Sequence, residues 1–536
     1  MQGRAEVPRE GRPETLSTQL SILLAALIFA RAGYVRVVRP ISDFYVAGRL
    51  MPAALNGMAI AVSFLAVLVF VGLAGGVVLG WQGVGALILG GGLGLAASGV
   101  LLAPYLRSFG GYTLPDFLAE RFGGEKVRLL AVVVLIACSF PALAAILLGL
   151  GLIVAAAFPI SLAAGIGAGA AMIFLCTLIG GMRSLSLSQI AQYAVLLAAA
   201  LAAILVVLWQ TGSMFGTGAV VLDEIIPRPG LEPFAQTSTA NSLALIFCLA
   251  TGTASLPFLL MRSFTTPSPE EARESFMGSL VFGGLVLVAA PAFATLFDEA
   301  WLGYDLFQVA RALLALGAIA VLLAAGSAIA LSMGNALSYD VYYKTMQPRA
   351  TTERQVFMAR LSIVVVAGLA GIAALYAPQE TLTATSAALS VAASALLPAL
   401  MLGVWWKRAS SDAALAAMIA GLVVCLYYMI APQIIPFVFY ESSTFLSSAG
   451  DAQTAAYEAL RHDYYLAADP AVKDAVLADW ENAVRPMANW WGVNWVFAGL
   501  FAVPVGFAVM VVVSVFTPAP SEDVRRFVQG LREGMA

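Results

Sequence analysis

The sequence predicts an all-α integral membrane protein of about thirteen transmembrane helices, ten of them forming two inverted five-helix repeats. Three observations predict it. The chain is 61% hydrophobic and 11% charged, with a mean hydropathy of +0.91, whereas soluble domains are about 25% charged. Its basic residues lie outside the apolar stretches and mostly on one side of them. An odd number of spans makes up half of the central region, which inverts the second half relative to the first.

Thirteen apolar stretches are long enough, or nearly so, to cross a hydrocarbon core of about 30 Å. They lie at roughly 20–30, 53–79, 83–103, 129–157, 160–181, 189–209, 241–261, 276–296, 312–337, 361–377, 382–405, 413–431 and 490–516. The first is short and ends Ala30-Arg31-Ala32. Alone it would suit a cleaved signal peptide, but Arg31, Arg36 and Arg39 follow directly, so a retained helix is expected.

All 28 Lys and Arg fall between these stretches. With the N-terminus outside, segments 31–50, 104–128, 182–188, 262–275, 341–360, 406–411 and 518–536 carry 20 of them. The opposite segments carry 8, three of which lie in the N-terminal tail. Basic residues stay on the side the chain does not cross, which places the C-terminus in the cytoplasm. Ser42–Arg49, Thr113–Phe122 and Thr266–Ser275 are expected as short polar cytoplasmic links. Residues 432–489 form the one large insert, an outer lid, docking surface or solvated acidic loop with eight acids against three bases. Two amphipathic helices are expected in it, one after Gly450 and one capped by Asp469 with Pro470 at its first position.

Without the first helix and the last two, ten spans remain between 53 and 405. The first five begin inside, so the next five begin outside. Inverted repeats of this kind put a solute site at the midplane, where the first helix of each repeat is often broken. The corresponding helices are 53–79, with Gly72, Gly75 and Gly76, and 241–261, with Gly252, Ser255 and Pro257. The expected limits are a tail and first helix at 1–40, repeats at 41–209 and 241–411, an outer loop at 210–240, and a C-terminal pair of helices at 412–536.

Several function classes fall away. No Asp, Glu, Lys, Arg or His lies mid-span, and Asp298, Glu299, Asp340 and Glu380 sit just past span ends, so a relay of protein carboxylates is not expected. No nucleophile–base motif, HExxH or phosphate loop is present, so the chain is not expected to be an enzyme. No basic aromatic patch points to nucleic acid. Cys138, Cys176, Cys248 and Cys425 lie in apolar spans and read as small buried hydrophobes. His462 is a loop histidine without an assigned role, and Gly90–Gly94 reads as close helix packing.

What remains inside is neutral. Thr251, Thr253 and Ser255 flank the expected break in one helix and Ser63 lies in the other; these four are the candidate solute-binding residues. Ser327, Ser332, Thr385, Ser386, Ser390 and Ser394 are further hydroxyls within spans. Broken helices offer N–H groups to a carboxylate and carbonyls to a cation. Against this, any one hydroxyl can simply bond back to its own helix.

The links carry a resemblance. Ser42-Asp43-Phe44-Tyr45-Val46-Ala47-Gly48-Arg49 resembles the signature before the first core helix of the sodium/solute symporter family, and Asn56-Gly57-Met58-Ala59-Ile60-Ala61 continues it. Ala103-Pro104-Tyr105-Leu106-Arg107, Tyr112-Thr113-Leu114-Pro115-Asp116-Phe117, and Gly180-Gly181-Met182-Arg183 with Gln189 and Gln192 are similar to later family links. Gly252-Thr253-Ala254-Ser255-Leu256-Pro257, Leu260-Met261-Arg262 and Glu271-Ala272-Arg273 resemble its acetate-permease branch. Asp340-Val341-Tyr342 and Trp405-Trp406-Lys407-Arg408 fit as well, and Thr517-Pro518-Ala519-Pro520-Ser521 resembles a bacterial subgroup of that branch.

The resemblance implies the leucine-transporter fold in a bacterial inner membrane. It implies sodium-coupled symport of acetate or another short-chain monocarboxylate, with Na+ as the co-transported ion and a small accessory membrane subunit as a partner beside the lipid. It also implies a sodium site built from carbonyls at Val62, Leu65 and Val321 and from a hydroxyl pair that falls here on Ala324 and Ala325. That pair is lost, and Ser327 is the only nearby substitute. A hard cation wants oxygen ligands, so weakened sodium binding, altered coupling, an uncoupled facilitator or a solute sensor are the alternatives.

Overall fold

The computed structural model describes residues 41–74, 81–211, 239–290, 305–376 and 378–533, with isolated positions at 19, 23–24, 28–29, 31 and 292–293. Side chains are described outside 69–84, 210–238, 294–311 and 377–386. The expected first helix and Gly75, Gly76 and the loop 212–238 lie mostly or wholly outside these residues. Among the described residues all regular structure is helical. Eight helices are long and apolar enough to cross a membrane, or up to ten if each of two bent pairs is one span.

The first repeat contains α1 (Ile41–Val46), α2 (Ala53–Ala74), α3 (Trp81–Ala97), α4 (Ala103–Phe109), α5 (Leu114–Phe122), α6 (Glu125–Ala157), α7 (Leu162–Thr177) and α8 (Gly181–Thr211). The second contains α9 (Thr239–Ser255), α10 (Pro257–Leu260), α11 (Pro269–Leu287), α12 (Asp305–Asn335), α13 (Thr352–Tyr376) and α14 (Pro378–Trp405). Then follow α15 (Ser411–Ile434), α16 (Pro436–Ser442), α17 (Asp451–Leu466), α18 (Pro470–Met487), α19 (Gly499–Phe516) and α20 (Glu522–Glu533).

Helix pairing is reciprocal. α2 packs on α11 as α9 packs on α3; α6 packs on α14 as α12 packs on α8; α6 meets α7 as α12 meets α13. One exchange, α2 for α9, α3 for α11, α6 for α12, α7 for α13 and α8 for α14, generates every pair. That is the arrangement an inverted repeat requires. The Gly90–Gly94 run packs closely, as expected: a Cβ on Gly90 would lie 2.8 Å from Leu249 Cβ, and one on Gly94 would lie 2.6 Å from Thr253 Cβ.

Three expectations are corrected. First, α2 is unbroken and Gly72 lies inside it. The chain bends instead before it, by 103° between Ile41–Arg49 and Ala53–Leu68. Ala47, Gly48 and Arg49 there adopt φ of 53°, 65° and 60°, a left-handed turn that opposes helix propagation. Gly48 suits it doubly, because a Cβ would fall 2.6 Å from Asp43 Oδ1. The other break does fall where expected: Leu256 (φ −63°, ψ 117°) separates α9 from α10, with a 45° bend.

Second, the expected polar links are helices. Thr113 accepts from Asp116 N ahead of α5, and Ser268 accepts from Glu271 N ahead of α11, each followed by a proline in the first turn. These are strong start signals. Third, α12 continues as a π-helix over Ala336–Met346, so the helix runs past the expected span end at 337 and Asp340 is buried within it.

The insert follows its caps. Asp469 Oδ1 accepts from Ala471 N at 2.9 Å, and α17 starts after Gly450. Phe437, Tyr457, Tyr464 and Trp480 pack ring on ring between α16, α17 and α18.

The end of the bundle carrying α1, α5 and α20, here the basic end, is held by arginines. Arg121, 0% exposed, donates to Gly403 O, Trp406 O and Ala409 O at the end of α14. Burial and the neighbouring Arg532 pull its guanidinium down to about 10, still charged at neutral pH. Arg107 donates to Thr266 O and Pro267 O, Arg49 to Gly110 O, Arg360 to Leu178 O and Ile179 O, and Arg532 to Val404 O. The terminal carbonyls of a helix lack partners of their own and carry its negative pole, which is why cations collect there. Arg128 bridges Asp116 at 2.9 Å and Asp340 at 3.4 Å, and Arg183 pairs with Asp43 at 3.0 Å.

Candidate transport site

Pro257 has no N–H to continue the ladder of α9. At the resulting break, Leu256 and Phe258 line a cavity of about 30 Å³ with Ala66 of α2, Ser139 and Ile146 of α6, Ala325 of α12 and Leu389 of α14. It sits where both repeats meet. The volume is about one water's share of the liquid, so the cavity must widen to admit a solute. Its lining is apolar apart from Ser139 and the neighbouring thiol of Cys138.

None of the four hydroxyls expected at the solute site lines this cavity. Thr251 Oγ1 donates to Phe247 O at 2.7 Å. Ser255 Oγ donates to Thr251 O at 2.9 Å and Gly252 O at 3.0 Å. Both bond back to their own helix, as Ser and Thr in membrane helices do. Thr253 is buried against Gly94 of α3, and its Oγ1 has no partner among the described residues. Ser63 Oγ donates to Ala59 O at 2.9 Å. Ser139 was missed in the sequence; Pro141, two residues on in the same span, was the one local hint.

The expected cation position lies at the crossing of α2, α8 and α12, and the structure brings part of that set together. Gln189 of α8 is the joint: its Nε2 donates to Ser63 Oγ and to Ala324 O, both at 2.8 Å. Its Oε1 accepts from Arg262 Nη2, and Arg262 Nη1 donates to Ser186 Oγ at 2.7 Å. Arg262 O accepts from Asn56 Nδ2 at 3.1 Å, and Asn56 Oδ1 accepts from Thr265 Oγ1. One network thus ties α2, α8, α12 and the stretch after α10.

Arg262 is 1% exposed. The sequence places it just past the end of a span; the structure folds it inward, against a glutamine eight residues, or about 12 Å, along α8. Arg262 is thus an ionisable side chain buried within the bundle, although none was expected in the middle of a span. Gln189 and Arg262 were visible only as motif letters, because nothing in residue spacing joins two positions on different helices.

These residues do not fit sodium. Ala324 and Ala325 offer methyls, and Ala325 faces the cavity. A carbonyl has two lone pairs; inside α12 that of Ala324 gives one to the helix and the other to Gln189. Ser63 Oγ is likewise engaged as donor and acceptor. The carbonyls of Val62 and Leu65 belong to unbroken helix, and Val321 lies within α12. Ser327 is within reach of Cys176 on α7, not of this network. Of the other span hydroxyls, Ser390 donates to Val496 O and Ser394 to Val391 O. Ser332 Oγ is buried without a partner among the described residues, and the side chains of Thr385 and Ser386 lie outside them.

The chain matches the model of the sodium:solute symporter family over residues 44–305 and 302–421. It is 27% identical to an uncharacterized symporter of Cupriavidus necator, over 96% of this chain and 93% of that one. It is 28% identical to a monocarboxylic acid transporter of Corynebacterium glutamicum, over 75% of this chain and 82% of the relative. Among solved structures it resembles a Na+-coupled sialic acid symporter in its substrate-bound outward-open state, with a TM-score of 0.67 and 14% identity, covering 95% of this chain and 99% of that one.

Proposed function

Because the chain belongs to the sodium:solute symporter family, we propose that it is a secondary transporter that carries acetate or another short-chain monocarboxylate by alternating access. The observation behind this reading is the cavity at the Leu256 break, whose lining is apolar but for Ser139 and Cys138. Such walls suit a short alkyl group; a sugar would leave its hydroxyls unpaired there. The Corynebacterium glutamicum relative is named a monocarboxylic acid transporter, which supports the same solute class.

The repeats at 41–209 and 241–411 would rock about this cavity, with the basic end facing the cytoplasm of a bacterial inner membrane and the insert facing outward. That orientation is supported by the excess of Lys and Arg at the α1–α5–α20 end. The partners in this reading are a small organic anion, the bilayer and a small accessory membrane subunit. Sodium is the family's ion, but the fit described above does not supply its ligands.

Uptake of labelled acetate into proteoliposomes holding the full chain tests the solute reading. Saturable uptake, competed by other short monocarboxylates and not by sugars, is the expected result. Binding without uptake would turn the reading to a solute sensor. Neither binding nor uptake of any short monocarboxylate would sink it.

A further inference from the structure

A buried cation needs a reason to be there, because removing a charge from water costs several kcal/mol unless polar partners replace the water. Arg262 forms no ion pair among the described residues; its guanidinium is held by neutral acceptors, Ser186 Oγ and Gln189 Oε1. Gln189 is polarised by that contact and presents its own N–H groups to Ser63 Oγ and Ala324 O. Those two oxygens face each other across the α2–α12 crossing. An ion bridging these helices would draw on oxygens placed like these, and here an amide joins them instead, with a full positive charge one hydrogen bond behind it.

We propose that Arg262 and Gln189 together are a built-in substitute for a co-transported cation at the α2–α8–α12 crossing. Arg262 supplies the fixed charge and positions Gln189, and Gln189 bridges the two helices. The substitute is covalently part of the chain, so it neither binds from one side nor leaves on the other. Solute movement is therefore not driven by a sodium gradient through this position. The charge lies four residues past Phe258, which lines the cavity, in the 3-10 turn Met261–Thr265 that follows α10.

The inference rests on the transport reading only for its last consequence; ion binding can be measured without any solute. The purified full chain is melted in sodium chloride and in choline chloride at equal ionic strength, and binding of radioactive sodium is measured in parallel. The wild type is expected to show no sodium-specific shift and no saturable sodium binding. Gln189→Asp combined with Arg262→Ala removes the resident charge, frees Ala324 O and supplies a carboxylate. That variant is expected to gain a sodium-specific, saturable stabilisation of several degrees.

Saturable sodium binding by the wild type overturns the proposal. So does a double variant that folds yet ignores sodium. If the double variant does not fold, the wild-type binding measurement still decides. A chain that moves no monocarboxylate but also binds no sodium would leave this inference standing while the solute reading fell.

Discussion

At the basic end of the bundle, arginine side chains reach helix-end carbonyls and carboxylates from distant parts of the sequence, and nearly every tie crosses from one packed unit to another. At the opposite end, α16, α17 and α18 close on themselves through packed, tilted aromatic rings, and their ion pairs, such as Arg461 with Glu441, are exposed. The two seams respond differently to opening. A hydrogen-bonded seam exchanges protein partners for water at a net cost of about 1 kcal/mol per bond. An aromatic seam that parts loses its buried area outright, at about 25 cal/mol per Å². The expectation to test is that the basic end behaves as a gate that can re-form and the insert as a platform that stays put.

The largest break in that comparison is Arg121→Ala. It takes a donor from three carbonyls, of which Trp406 O keeps Ala409 N, and leaves a void; it is expected to destabilise the chain by about 3–5 kcal/mol, measured by thermal melting in detergent. Arg121→Lys should restore little, because the acceptors are spread over Nε and Nη2 of the planar guanidinium and one ammonium nitrogen does not reproduce both positions. Next is Trp480→Ala in the insert. Its loss of packing is expected to cost about 3 kcal/mol, but uptake by the folded protein should change by less than about twofold if the insert is only a platform. A large uptake defect at full folding would erase the distinction between gate and platform.

Arg128→Ala sharpens the gate. It leaves Asp340 buried without its counter-ion, at a cost of about 2–3 kcal/mol. Removing Asp340 as well should recover part of that loss in a double-mutant cycle. A cycle with no coupling would mean that the 3.4 Å pair does not hold the seam. The smallest effect is expected from Arg461→Ala, whose side chain is 44% exposed; exposed pairs such as those with Glu441 and Glu458 are worth about 0–1 kcal/mol, so its melting temperature should barely move.

Much of the fold was legible because lipid imposes a simple code. Apolar length, charge alternation and the odd count of spans were enough for an inverted repeat, and Asp469-Pro470 was enough to start α18. The bend before α2 was not legible. Glycine enrichment pointed to Gly72, Gly75 and Gly76, of which Gly72 lies inside α2 and the other two outside the described residues, whereas the observed turn before α2 is made by Ala47, Gly48 and Arg49, two of which normally avoid left-handed backbone.

The site divided in the same way. Pro257 announced its own break through a missing N–H. Thr251, Ser255 and Ser63 looked like ligands because a sequence shows that a hydroxyl is present, not where its bond goes. That Ala324 and Ala325 stand where a hydroxyl pair is expected was implied by the family resemblance, counted back from Asp340. What replaced that pair was not, since Gln189 and Arg262 meet only once two helices have packed.

Arg121 also carries a constraint in time. Its three acceptors lie 282, 285 and 288 residues further along the chain. A ribosome adds about 5–20 residues per second, so at least about 14 s pass between the synthesis of α5 and the arrival of the carbonyls it caps. Through that interval the nascent protein carries an unclaimed guanidinium, available to headgroup phosphate or to an insertion chaperone. Chains stalled before Gly403 should be recognisable by that exposed side chain, and its disappearance into the end of α14 would mark the moment the second repeat is complete.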